Sequence, residues 1–152
     1  MKIRMLLPLS LCLAATACVV REPPPAGTAQ CTTSKPAPGI DRVHVDIVLT
    51  HGRPDARPRL CVVRSGMEIV WRTAEQDATA FKLVFADSPG HAAAAAGERE
   101  RLAAPRQFPS HRQDGRQQVG IIAKEVGSET PINYDIVLGA MAGDPGIKIV
   151  PR

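Results

Sequence analysis

The chain has 152 residues, with 19 Lys and Arg against 15 Asp and Glu, for a net charge of +4. The charges are interspersed rather than massed, which excludes a basic nucleic-acid footprint and an electrostatic hold on anionic membranes. Aromatic residues make up only 3% of the chain, too few for a platform that stacks sugars or single-stranded nucleic acid.

The first 17 residues have the layout of a bacterial secretory signal. Lys2 and Arg4 form a basic start, an apolar run extends from Met5 to about Ala15, and Ala15-Thr16-Ala17 precede Cys18. The run is too short to span a bilayer, which takes about 20 apolar residues. The segment Leu13-Ala14-Ala15-Thr16-Ala17-Cys18 resembles a lipobox, although Ala15 stands where that family usually has Leu. The resemblance implies a diacylated Cys18 as the mature N-terminus. Val19 in place of Asp after it implies delivery to the outer membrane, on the periplasmic side. The plainer alternative is ordinary cleavage that leaves a soluble periplasmic protein with a free Cys18. Loss of Lys2 and Arg4 leaves 17 basic residues against 15 acidic ones, a net charge of +2.

Residues 18–40 carry five prolines among Gly, Ser and Thr after Val19, and read as a semi-extended tether. Two cysteines remain beyond Cys18. In an oxidising compartment Cys31 and Cys61 are expected to form a disulfide, closing a loop worth roughly 3–4 kcal/mol in the chain-entropy model. The alternative is a buried thiol at Cys61 and a solvent-facing one at Cys31.

The mature chain from Cys18 to Arg152 has room for one domain and not two, read over residues 41–152. Val43, Val45, Ile47 and Leu49 alternate with Arg42, His44 and Asp46, the period of a half-buried strand. The stretch from His51 to Arg59, with Gly52, Pro54 and Pro58, reads as a loop. Strands then follow at Leu60–Val63, at Met67–Trp71 and at Phe81–Phe85. Three more are predicted at Gln117–Val126, Ile132–Leu138 and Gly146–Val150. Seven short strands describe an all-β, antiparallel Greek-key sandwich with a Val- and Ile-rich interior. The exception is His91 to Arg116, which has no period of two. Ala92 to Ala104 has high helix propensity and Pro105 stops it, so a short surface helix followed by a loop fits, as does a mobile alanine-rich insertion.

The order of these segments resembles the cupredoxins, plastocyanin-like copper proteins. Val62 to Thr73, a Gly turn leading into a strand that ends near Trp71, is similar to one cupredoxin segment. The run from Asn133 to Val150, with Tyr134 and the turn Asp144-Pro145-Gly146, is similar to the closing hairpin. The resemblance implies a cupredoxin-like domain over about Asp41 to Arg152. It does not carry the chemistry across. A type 1 site needs an early His and then Cys, His and Met near the end, and only Met141 stands there.

His91, His111 and Met141 are the weak candidates for a looser copper or zinc site, but no pair has the i,i+2 or i,i+4 spacing that preorganises a metal centre. No nucleophile elbow, zinc-protease motif or phosphate loop is present. The expectation is therefore a non-catalytic envelope lipoprotein without a cofactor, bound to the membrane through Cys18 and to an envelope protein through loops or a sheet edge. The alternatives are a periplasmic protein handling copper transiently through His and Met, and a structural subunit of an envelope assembly.

Overall fold

The computed structural model describes residues 27–85 and 106–152. The signal segment, Cys18, His91 and the alanine-rich stretch to Ala104 lie outside them. Twelve strands occur among the described residues, and no helix. They are β1 (Thr28–Gln30), β2 (Arg42–Thr50), β3 (Arg53–Arg57), β4 (Leu60–Arg64), β5 (Glu68–Arg72) and β6 (Lys82–Phe85). Then come β7 (Arg106–Pro109), β8 (His111–Gln113), β9 (Arg116–Ile122), β10 (Thr130–Leu138), β11 (Met141–Gly143) and β12 (Gly146–Val150).

They form two open sheets of six strands. The first runs β1-β2-β5-β9-β8 with β3 also on β2; the second runs β4-β12-β10-β6-β7 with β11 also on β10. All seven predicted strands are present. Five more lie where the sequence reads as tether, loop or plain connection. Each is three to five residues long, too short for an alternating pattern to stand out. Thus β3 occupies the Gly- and Pro-containing stretch after Thr50, and β7 and β8 occupy the region expected to be a loop before Arg116. β11 occupies the connection around Met141.

The expected antiparallel pairing is also corrected. β1 with β2, β2 with β5, and β4 with β12 are parallel. Alternation records which face of a strand is buried and says nothing of its neighbour's direction. The chain leaves β2 through β3, crosses to β4 in the other sheet and returns as β5, so β2 and β5 meet head to head rather than as a hairpin.

The inward faces close on one another. Val43, Val45, Ile69, Trp71 and Val119 from the first sheet meet Cys61, Val63, Leu83, Ile136, Ile147 and Ile149 from the second in one buried cluster. Leu49, read as inward, is instead 61% exposed, because β2 outruns the sheet where it turns into β3. The aromatic residues concentrate: Trp71, Phe85, Phe108 and Tyr134 form a chain of edge-to-face and stacked contacts with centroids 5.3 to 6.3 Å apart. At its centre the buried Trp71 Nε1 donates to Tyr134 Oη at 2.7 Å.

The Cys31–Cys61 disulfide is formed, and both cysteines belong to the core. Gly143 of β11 lies hard against the backbone of Pro54 in β3, so close that a Cβ would collide with the Pro54 carbonyl.

Candidate functional site

β2, β5 and β9 turn one set of alternate residues into the core and, with the unburied strands β1 and β8, present the other set on one outward face. The register sets these residues in rungs across the sheet. Thr28, Arg42, Glu68 and Ile122 form one rung; Gln30, His44, Val70 and Gly120 form the next. Asp46, Arg72, Gln118 and His111 form the third. The part of this face carried by β2, β5, β9 and β8, from Arg42, His44, Glu68 and Arg72 to Gln118, Gly120 and His111, lines a concavity of about 870 Å³ together with the β8–β9 turn at Asp114-Gly115 and with Glu75 and Gln76. Its floor is low at Gly120, where a Cβ would stand 2.8 Å from Glu68 Oε1. Glycine there lets the Glu68 carboxylate lie across the neighbouring strand.

Three arginine–carboxylate pairs rim the concavity. Arg42 Nε meets Glu68 Oε2 at 2.6 Å, Arg72 Nε meets Asp46 Oδ1 at 2.8 Å, and Arg116 Nη2 meets Glu75 Oε1 at 2.6 Å. The side chains of Arg72 and Arg116 are only 16% exposed, so they lie flat on the sheet rather than reaching into solvent. Arg72 is the hub. Its Nη2 donates to Gln30 Oε1 at 3.3 Å, and its Nη1 is 2.8 Å from His44 Nδ1. A guanidinium can only donate. His44 Nδ1 is therefore the unprotonated acceptor, and the proton of the neutral ring sits on Nε2. Burial, then the charge of Arg72 beside it, holds the His44 ring below its ordinary value, against the opposing pull of Asp46.

The arrangement can bind but has fixed its own charges. Each exposed pair contributes little to stability, yet together they hold donors and acceptors at set positions on a rigid sheet. A ligand or partner meets a polar, near-neutral surface with its hydrogen-bonding groups already oriented.

The sequence-stated candidates separate. His111 is exposed on β8 at the edge of this concavity. Met141, 42% exposed, is on β11 of the other sheet, and His91 lies outside the described residues. Among the described residues no three His, Cys, Asp or Glu side chains stand close enough to hold a metal ion. The sequence places Arg42 with His44 and Asp46 on the polar face of one strand, but does not single out Glu68, Arg72, Glu75 or Arg116. Their signal is present in the outward positions of Arg42-Val43-His44-Val45-Asp46 and Glu68-Ile69-Val70-Trp71-Arg72. What sequence lacks is the parallel register that sets Glu68 beside Arg42 and Arg72 beside Asp46.

No protein-family model matches the chain, and no curated protein matches it significantly.

Proposed function

We propose that the chain is a non-catalytic cell-envelope lipoprotein whose cupredoxin-like sandwich, without the copper ligand set, binds or scaffolds another envelope protein. The observation that carries this reading is the concavity on the first sheet: a polar surface preorganised by strand register and paired charges. Such a surface suits contact with a partner offering complementary hydrogen-bonding groups. The cupredoxin-like reading draws on the two facing sheets and on a closing strand, β12, set between β4 and β10. The region from His91 to Arg116 contributes β8 and, with it, the Asp114-Gly115 turn to the same rim. The metal-handling alternative gains nothing from His111 and Met141, which belong to different sheets.

Photo-crosslinking in cells tests the proposal. A crosslinking residue replacing Gln118 or Gln113 is expected to trap a discrete protein, whereas one replacing Lys148 on the opposite sheet is not. Adducts from the Lys148 position alone, or from none of the three, would refute the assigned surface.

A further inference from the structure

Residues 18–40 read as one tether in the sequence, but from Gly27 onward the segment is built into the domain. The Gly27 carbonyl accepts from both Asp41 and Arg42 N–H, at 2.9 and 3.0 Å. Thr28–Gln30 pair in parallel with Arg42–His44. Cys31 N–H donates to the His44 carbonyl at 2.8 Å, and Val62 N–H donates to the Thr32 carbonyl at 3.0 Å. The disulfide joins Cys31 to Cys61. Beyond it the Arg64 guanidinium donates to the carbonyls of Pro36, Ala37 and Ile40, at 2.9, 3.0 and 2.8 Å. These fastenings fall at the start, middle and end of the segment.

We infer that residues 27–40 are a strap rather than a leash, so that the domain stands at the membrane surface and serves a partner anchored in or lying on that same membrane. The inference rests on the lipid-anchor reading of Cys18. From Cys18 to Gly27 there are nine peptide steps, which span at most about 30 Å. A leash running to Ile40 would have 22 steps and reach about 75 Å. The strap removes more than half of that reach.

It also orients the domain. β1, β2 and β5 all start at the end where Gly27 enters, and β4 and β12 finish there. The β2–β3 and β10–β11 hairpins therefore point away from the anchor. A nine-residue strand is about 30 Å long, so the farthest tip stays within roughly 60 Å of the lipid. The concavity lies on the flank between, facing along the membrane rather than away from it.

The test uses the full mature chain, acylated at Cys18, in phosphatidylethanolamine–phosphatidylglycerol vesicles carrying an acceptor dye at the headgroups. A fluorescent residue replaces either Lys124, near the strap end, or His51, in the distal hairpin. Energy transfer is expected to be strong from position 124 and at least ~2-fold weaker from position 51. Fourteen Gly and Ser residues inserted between Ala26 and Gly27 should lower both. The triple variant Cys31→Ser, Cys61→Ser, Arg64→Ala, which unfastens the strap, should move transfer in the same direction. Equal transfer from both positions, or no change on insertion, would overturn the inference. Mass spectrometry of the chain isolated from the envelope that finds Cys18 without acyl groups overturns the anchor reading and with it the placement at the membrane. The strap itself is then judged on the free mature chain by amide hydrogen exchange. Cys31 and Val62 amides slowed at least ~100-fold over an unfolded peptide support it, and exchange at the unfolded rate rejects it.

Discussion

Replacing Tyr134 by Phe removes one oxygen from the core and leaves its shape nearly intact. The ring keeps its stacked contact with Phe85 at 5.3 Å and its edge contact with Trp71 at 5.5 Å. What is lost is the acceptor for Trp71 Nε1, a donor in a side chain that is 0% exposed. A buried N–H without a partner costs about 1–3 kcal/mol, and the packing term is small. Taking about 2 kcal/mol, the folding equilibrium shifts roughly 30-fold, since each 1.4 kcal/mol is tenfold. For a domain of this size that is a fall of about 6–12 °C in melting temperature. In urea it moves the midpoint by about 1 M, with the slope unchanged. Trp71 is the only tryptophan in the chain, so its fluorescence reports both the transition and the local environment. A loss below about 0.5 kcal/mol with an unaltered native emission spectrum would refute the reasoning, because the indole would then have found another partner or never have needed this one.

The same tyrosine, the only one present, makes a second prediction. Burial pushes its phenol well above the ordinary value of 10, so stability linked to it is fully present below pH 10 and is lost as pH rises beyond; absorbance at 295 nm should show no tyrosinate until the domain unfolds. His44 works in the opposite sense. Its lowered value makes the folded state the weaker proton binder, so stability is held above about pH 6.5 and falls as the solution becomes more acidic. His44→Gln, which keeps an acceptor for Arg72, should flatten urea midpoints measured between pH 7 and pH 5. Cys31→Ser with Cys61→Ser should cost about 3–4 kcal/mol for a loop with a sequence separation of 30, and a loss under 1 kcal/mol by denaturant titration would contradict the strap's share in the fold. Gly143→Ala, which has no room against Pro54, should destabilise by about 1–3 kcal/mol, as read by a lowered melting temperature in circular dichroism.

Strand existence was legible where alternation ran for four residues or more. Val43-Val45-Ile47 and Ile132-Tyr134-Ile136-Leu138 declare a buried face in residue order alone, because side chains leave a strand on alternate sides. Thr28–Gln30 and His111–Gln113 are too short to repeat anything, and their strand character comes from the neighbours they pair with. Pro54 made the stretch after Thr50 look like a loop, yet β3 lies at the margin of the first sheet, pairing only with β2, where a residue without an N–H is tolerated. The Pro-rich segment hides a short strand, Thr28–Gln30, in a similar way. Composition showed that it has little apolar surface of its own. It could not show that Arg64, from a strand 24 residues beyond Ile40, would hold its carbonyls.

The sequence by itself determined the all-β class, seven of the twelve strands, the inward residues of most of them and the two cysteines able to pair. These follow from local periodicity and residue chemistry, which do not depend on what lies across the fold. Only the tertiary structure decided that β2 and β5 run parallel, that Arg72 joins His44, Asp46 and Gln30, and that Thr28–Gln30 pair with Arg42–His44. The reason is the same in each case. Direction, register and long-range hydrogen bonding are relations between segments far apart in the chain, fixed by how two apolar faces close on one another, and no short window of sequence contains both partners.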